Sequence, residues 1–221
     1  MLHGVGKWQG KNACYNASTG VLTPYRGQKL TYKMFDAIRP ELEKAGIRRI
    51  VLEVITTNDR ARHIYEQMGF RVVRTLKCYQ KPLSNVKKIT GVNSNIKPEF
   101  LTNPNPADLE RLCNYRPSWQ NNLQAVFNNI GRQAIIGVYR DNELIGYGVN
   151  KLGTGYISQF GFGDNDPDCM MAQLLFNYFS LTNRETLVIT NVDETAEDVN
   201  NLLIYSGFEP HLDQYEMQLD W

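Results

Sequence analysis

Residues 50–70, IVLEVITTNDRARHIYEQMGF, join a β-prone run to a helical pattern. The run at residues 47–55 is rich in β-branched side chains and is apolar on both faces, which predicts a buried strand. Thr57 or Asn58 then caps a helix. The predicted apolar face of that helix consists of Ala61, Ile64, Tyr65 and Met68. Gly69 ends the helix, so this stretch predicts a strand followed by a helix.

The flanking residues extend this unit in both directions. Residues 12–22 are poor in helix formers and predict a strand ending near Leu22, and residues 70–79 predict another strand. Between the first two strands lie a turn at residues 24–29 and a second helical pattern. Its predicted apolar face is Leu30, Met34, Ile38 and Leu42. Pro40 should kink or break this helix near its end. Helices alternating with strands indicate an α/β unit.

Three segments within residues 13–80 resemble the GNAT superfamily of N-acetyltransferases. They read, in order, Val21-x-x-x-Tyr25-Arg26-Gly27, then Leu52-Glu53-Val54, then Asn58-x-x-Ala61-x-x-x-Tyr65-x-x-x-Gly69-Phe70. The resemblance implies an α/β (α+β) fold in which a mixed, mostly antiparallel sheet is flanked by helices. It covers about a third of the chain.

The same resemblance implies an acetyl-CoA site. Arg26, Gly27, Gln28, Lys29, Leu30 and Thr31 would cradle the pyrophosphate, and the main chain of Val21 and Leu22 would bind the pantetheine arm. The start of a helix supports this assignment, because its unpaired amides and its dipole favour an anion. Asn58 would also contact the cofactor, although it is equally a good N-cap. Lys29 and Thr31 stand where the family pattern has small residues.

Glu53 and Tyr65 are the candidate catalytic residues. The segment that carries them is similar to that of ribosomal-protein alanine acetyltransferases, which implies that Glu53 is a general base and Tyr65 a general acid. A phenol is protonated at neutral pH and can donate a proton. The alternative for Glu53 is a structural ion pair with Arg48 or Arg74. The alternative for Tyr65 is packing of the helix.

The second half of the chain repeats the first. Residues 134–150 predict a hairpin that turns at Asp141 and Asn142, and strands at 155–162 and 186–192 and helices at 170–181 and 196–205 follow. Aligning Gly207-Phe208 with Gly69-Phe70 gives an offset of 138 residues, which indicates an internal duplication.

At this offset, the second half has other residues at the positions of the candidate site. Arg26 maps to Asp164, Glu53 to Asn191, Asn58 to Ala196 and Tyr65 to Leu203. Asp164, Asp166 and Asp168 would repel a pyrophosphate, and a Ca²⁺ loop is the alternative for them. We therefore expect a degenerate GNAT-like domain without cofactor.

The charge distribution suggests where the two domains divide. Residues 1–93 hold 17 basic and 6 acidic side chains, and residues 94–221 hold 7 and 17. We predict a partial GNAT domain at residues 1–83, a linker at 84–95 and the degenerate domain at 96–221. The basic half suits an anionic cofactor, whereas its scattered cations do not indicate nucleic-acid binding. Since the first domain lacks early family elements, we expect interdomain packing or a homodimer to complete its sheet.

Other features indicate a cytoplasmic protein. No apolar stretch approaches 18 residues, and the N-terminus lacks the order of a secretory signal, so no membrane association is expected. Cys14, Cys78, Cys113 and Cys169 are far apart, which favours reduced core thiols over disulfides or a metal site.

The leading functional hypothesis is transfer of acetyl from acetyl-CoA to a primary amine on a small molecule or peptide. One rival is a catalytically inactive module that binds acetyl-CoA or regulates another protein. A further rival is an interaction protein that pairs acidic and basic surfaces without a small ligand.

Overall fold

The computed structural model describes residues 1–85, 95–163, 167–182 and 184–221. Most of the predicted linker, residues 86–94, lies outside the described residues, as do Asp164 and Asp166 of the acidic turn. The chain divides into two compact units. Unit 1 comprises Met1–Thr75 and Gln214–Trp221, and unit 2 comprises Leu76–Asp213.

Unit 1 is a mixed sheet with two helices. Its elements are β1 (Leu2–Trp8), β2 (Lys11–Ser18), α1 (Leu30–Lys44), β3 (Arg49–Ile55), α2 (Asp59–Gln67), the start of β4 (Arg71–Pro82) and the end of β10 (Glu209–Asp220). The strand order is β1-β2-β3-β10-β4. Only β2 and β3 are shown to pair in parallel, through Cys14 with Ile50 and Tyr15 with Val51.

The described residues of unit 2 form mixed strands of the sheet and four α-helices. Its elements are the rest of β4, β5 (Ile96–Phe100), α3 (Pro106–Leu112), α4 (Leu123–Asn128), β6 (Gln133–Arg140), β7 (Glu143–Lys151), β8 (Tyr156–Phe162), α5 (Pro167–Phe179), β9 (Thr186–Asp193), α6 (Glu197–Tyr205) and the start of β10. The strand order is β4-β9-β8-β7-β6-β5, antiparallel except for β8 with β9. The predicted fold class, a mostly antiparallel sheet with helices, is confirmed.

Each unit receives a strand from the other half of the chain. Residues 214–220 of β10 pair with β3 in unit 1, and residues 76–82 of β4 pair with β9 in unit 2. The compact units therefore do not follow the order of the chain, unlike the boundaries predicted at residues 83 and 96. Sequence periodicity identifies strands but cannot show which half of a repeat supplies a partner.

The two halves repeat the same elements at a common spacing. Helices α2 and α6 are displaced by 138 residues at both ends, from Asp59–Gln67 to Glu197–Tyr205, and β4 and β10 by the same number, from Arg71–Pro82 to Glu209–Asp220. The predicted offset therefore holds for this part of the repeat. It does not hold for the preceding strand, because Cys14 pairs with Ile50 whereas Tyr156 pairs with Val188, which is a displacement of 142 in β8.

The core of unit 1 lies between its sheet and its helices. Strand β3 contributes Ile50, Leu52 and Val54, which pack with Phe35 of α1 and Tyr65 of α2. Because side chains alternate along a strand, Val51 and Glu53 point to the opposite face of the sheet. Strand β10 adds the fully buried Met217 to this core, together with Leu219.

Three details of the structure differ from the sequence prediction. Strand β2 ends at Ser18 and not near Leu22, and a 3-10 turn at Thr23–Tyr25 follows. Helix α1 continues past Pro40 to Lys44 without a break. The proline removes one backbone hydrogen bond, and the remaining bonds of the helix hold it together. Phe35 is the most buried residue of α1, although the predicted face did not include it.

The lengths of the helices and the state of the cysteines are further features of the fold. The described residues contain no helix long and apolar enough to cross a membrane. All four cysteines are thiols, and Cys14 and Cys78 are buried as predicted for core residues, whereas Cys113 and Cys169 are partly exposed. Burial raises the pKa of the Cys14 thiol to about 11.

Candidate active site

The turn between β2 and α1 combines a left-handed glycine with the start of a helix. Gly27 has a φ of 79°, a left-handed value that glycine adopts without strain. Helix α1 begins at Leu30, and its first amides have no partner within the helix. An anion placed here would meet these amides and the positive end of the helix dipole.

Lys29 is also left-handed, with a φ of 53° and a ψ of 29°. A side chain other than glycine pays about 1–2 kcal/mol in this region. This explains in physical terms why a small residue suits the position. Lys29 keeps the backbone path that a glycine would follow and adds a positive charge.

A cleft of about 510 Å³ opens beside this turn. It lies between the turn and the start of α1 on one side and α2 on the other. Its lining consists of Thr19, Gly20, Val21, Tyr25, Arg26, Gly27, Lys29, Leu30, Thr31, Tyr32, Asn58, Arg60, Ala61, Ile64, Tyr65 and Gln67. Among these described residues are three cations, Arg26, Lys29 and Arg60, and no carboxylate. The cleft is therefore suited to an anionic ligand with apolar parts.

Tyr65 lies in the wall of the cleft and in the core at the same time. Its ring meets Phe35 and Phe70 at centroid distances of 6.3 and 5.5 Å. Burial raises the pKa of the phenol, and side-chain hydrogen bonds with Thr19 and Asn16 partly oppose that rise. Thr19 in turn donates to Asn16 at 2.8 Å. The phenol is thus protonated at neutral pH and held in place.

Asn58 is confirmed as the N-cap of α2, since its side-chain oxygen accepts from the amide of Ala61 at 3.1 Å. The capping bond uses the oxygen, so a contact with a ligand in the cleft would come from the amide nitrogen. On the same helix, Gln67 accepts from the hydroxyl of Tyr32 at 2.6 Å. This bond ties α1 to α2 across the cleft.

Glu53 is not in the lining of the cleft, because it points to the other face of the sheet. There it accepts a hydrogen bond from the hydroxyl of Tyr15. Tyr15 and Val51 are the last parallel pair between β2 and β3, and beyond them the strands part. Glu53 lies two residues past that pair, so it borders the gap. Of the two cations named as alternative partners of Glu53, Arg48 pairs with Glu43. The ion pair with Arg74, which also binds Glu216, stays the alternative.

Two further predicted cofactor residues, Leu22 and Gln28, also lie outside the lining. Leu22 is an exposed residue of the turn. Its carbonyl accepts from the amide of Tyr25 at 2.9 Å, and the carbonyl of Val21 accepts from Nε of Arg26 at 3.1 Å. The carbonyls of the two residues predicted to offer main-chain bonds to the pantetheine arm and the thioester oxygen are thus engaged within the turn. The early end of β2 is the reason.

The structure adds cleft residues that the sequence analysis did not select, including Thr19, Tyr32, Arg60 and Gln67. Arg60 had a usable signal, since it is a cation in the first turn of a helix already assigned to the site. Thr19 had none, because its contact with Tyr65 depends on where β2 ends.

The corresponding cleft of unit 2, about 850 Å³ in volume, differs in chemistry. Asp168, Glu197 and Asp198 line it. At the offset of 138, Asp198 replaces Arg60 and Ala196 replaces Asn58. The buried apolar Leu203 stands in the place of Tyr65. An acidic lining repels a pyrophosphate, and no phenol is present at that position.

In unit 2, Asn121 bridges the two parallel strands, β8 and β9. Asn121 donates to the carbonyl of Thr190 in β9 at 2.9 Å and accepts from the hydroxyl of Tyr156 in β8 at 3.0 Å. Gln159 of β8 donates to the carbonyl of Asn121 at 2.9 Å. A side chain of the protein thus occupies the space beyond the last parallel pair.

Residues 1–70 match the model of the acetyltransferase (GNAT) family. No curated protein sequence matches the chain.

Solved structures resemble almost the whole chain. A GCN5-related N-acetyltransferase from Sphaerobacter thermophilus superposes with a TM-score of 0.66 at 11% identity, covering 95% of this chain and 73% of that one. A tandem GNAT protein from the clavulanic acid biosynthesis pathway gives 0.65 at 13% identity, with 96% and 76% covered. A GCN5-related N-acetyltransferase from Kribbella flavida gives 0.62 at 11% identity, with 94% and 81% covered. Residues 1–70 are therefore similar to the acetyltransferase (GNAT) family, and the described chain has the fold of GNAT proteins.

Proposed function

We propose that the protein is an N-acetyltransferase that uses acetyl-CoA as donor and a primary amine on a small molecule or peptide as acceptor. The observation that carries the proposal is the cleft of unit 1. It combines three cations, the start of α1 and a protonated Tyr65, and it contains no carboxylate among its described lining residues. This set fits a diphosphate joined to a largely uncharged arm.

Acetyl-CoA would supply the acetyl group as an activated thioester. Arg26, Lys29 and Arg60 would bind the phosphates, with the amides of Leu30 and Thr31 at the helix start. Asn58 would contact the arm through its amide nitrogen. The cations are expected to dominate affinity, because each charged hydrogen bond to a phosphate is about twice as strong as a neutral one.

Glu53 and Tyr65 would act from opposite faces of the sheet. The gap beyond Tyr15 and Val51 connects the faces, so an amine could approach from the side of Glu53 and the donor from the side of Tyr65. Glu53 would accept the ammonium proton, directly or through a water, which makes the amine nucleophilic. Tyr65 would hold a proton for the departing thiolate. Each role contributes about 100-fold or more where such groups are positioned.

The alternative is a module that binds acetyl-CoA without turnover. It is favoured by the position of Glu53, which is outside the cleft. A cytoplasmic location and the absence of a metal cofactor are part of the proposal under either alternative.

A thermal-shift titration separates these functions. If unit 1 binds acetyl-CoA, millimolar acetyl-CoA raises the melting temperature, because a ligand that binds only the folded state stabilises it. Release of coenzyme A thiol in the presence of a panel of primary amines then supports the transferase. A shift without thiol release supports the binding module, and no shift contradicts both.

A further inference from the structure

Glu53 has a second carboxylate directly beside it. In the antiparallel pairing of β3 with β10, its partner is Glu216. Side chains of directly opposed residues point to the same face of a sheet, with Cα atoms about 4.5–5.5 Å apart. Glu216 is therefore a neighbour of Glu53, although it comes from the other end of the chain.

Glu216 is fully buried and has a buried cation as its partner. Arg74 of β4 donates to Glu216 at 2.7 Å, and the two side chains are 4% and 0% exposed. Two carboxylates side by side repel each other, and the guanidinium of Arg74 offsets one of the two negative charges. The opposite charges of Arg74 and Glu216 therefore largely cancel at the position of Glu53.

Three neighbouring strands contribute side chains to the same face as Glu53. Strand β2 contributes Tyr15, whose hydroxyl donates to Glu53. Strand β10 contributes Gln214 and Gln218 on either side of Glu216, and both are uncharged. Strand β4 contributes Arg74. Arg74 and Glu216 form the charged pair of this face that adjoins Glu53, and Arg49 and Asp220 form a second pair four residues along the strands.

We propose that Glu216 is a positioning residue of the acetyl-transfer site, which keeps Glu53 able to accept a proton by offsetting the charge of Arg74. The inference rests on the proposed function, in which Glu53 is the base. It also gives a role to the exchanged strand, because the C-terminal segment would then tune a group of the N-terminal half. The pair itself need not increase stability, since buried ion pairs are often neutral relative to apolar replacements.

The test follows the titration of Glu53 by NMR in protein labelled with ¹³C at the glutamate carboxyl carbons. The signal is assigned by its loss in Glu53→Gln. In Glu216→Gln, the negative charge that offsets Arg74 is removed, so the midpoint of Glu53 falls by about one pH unit or more. In Arg74→Met with Glu216→Gln, both charges are removed and the midpoint returns to the wild-type value. A merely structural pair would not produce this reversal.

Asp220→Asn is the matched control. Asp220 pairs with Arg49 between the same two strands, with Nε to Oδ1 at 2.7 Å. It lies four residues from Glu216, about 13 Å along the strand. This variant removes an ion pair of the same sheet and leaves the midpoint of Glu53 unchanged.

If Glu216→Gln does not fold, the exchange Arg74→Glu with Glu216→Arg keeps a buried pair and places the cation opposite Glu53. In this double variant the titration midpoint of Glu53 also falls. A midpoint of Glu53 that is unchanged in Glu216→Gln, or is moved equally by Asp220→Asn, overturns the inference. The titration uses neither acetyl-CoA nor an acceptor. Full turnover by Glu53→Gln would instead contradict the base assignment of the proposed function.

Discussion

Tyr65 is both a packing residue and a candidate acid. Its ring fills the core between Phe35 and Phe70, so the two alternatives drawn from the sequence are compatible. Replacement by phenylalanine keeps the ring and removes only the hydroxyl. The consequences for catalysis and for folding can therefore be separated.

Tyr65→Phe should lower turnover by about 100-fold or more, because positioned general acids contribute that much. Binding of acetyl-CoA should stay near the wild-type value. Since burial raises the pKa of this phenol, the acid form persists to higher pH than for an ordinary tyrosine. The alkaline limb of the wild-type rate profile should therefore lie above pH 10. Full turnover in the variant would show that Tyr65 is not the acid.

Lys29 combines a strained backbone with a charge toward the cleft. In Lys29→Gly, relief of the left-handed conformation should stabilise the fold by about 1 kcal/mol, whereas loss of the cation should weaken binding of acetyl-CoA. Chemical denaturation measures the first effect and calorimetry the second. Lys33→Gly is the control, because a glycine within helix α1 costs about 1 kcal/mol. A destabilised Lys29→Gly would contradict the account of the turn.

At the scale of elements, helix α1 contains a proline that lowers the free energy of unfolding. Pro40 lies inside the helix on an exposed position and cannot donate to the carbonyl of Asp36. Pro40→Ala should raise the free energy of unfolding by up to about 3 kcal/mol, measured by urea denaturation. Pro106→Ala is the control, since a proline at the start of α3 sacrifices no helical bond. Equal effects of the two changes would argue against this explanation.

Elements with strong local patterns were predictable from the sequence. The strand at β3, the capped helix α2 and the hairpin turn at Asp141 and Asn142 all follow from β-branched runs, capping and turn chemistry. The left-handed φ values at that turn, 49° and 69°, are those its residues favour.

Features that depend on tertiary pairing were not predictable. The end of β2 at Ser18 follows from its pairing with β1, in which Ser18 is opposite Leu2 at the start of that strand. The position of Glu53 on the far face follows from strand alternation, but the proximity of Glu216 requires knowledge of the exchanged strand. The alternation of Tyr215, Met217 and Leu219 with polar residues is typical of a strand, but it does not show that β10 pairs with β3.

At the scale of the whole molecule, the exchanged strands make the halves of the chain depend on each other. Met217 of β10 is fully buried in the core of unit 1. Met217→Ala should destabilise the protein by about 2–5 kcal/mol, and acetyl-CoA should be bound less well near the lowered melting temperature. Glu209→Ala, at an exposed position of the same strand, is the control. Unaltered stability in the Met217 variant would contradict the assigned strand pairing.

The central claim is one acetyl-CoA site for each chain, in the cleft of unit 1. Isothermal titration calorimetry with acetyl-CoA tests it most directly, using Arg60→Glu and its counterpart in the repeat, Asp198→Asn. The account predicts one site in the wild type, binding weakened at least tenfold by Arg60→Glu, and no change with Asp198→Asn. No binding, two sites per chain, or full affinity in Arg60→Glu would contradict it.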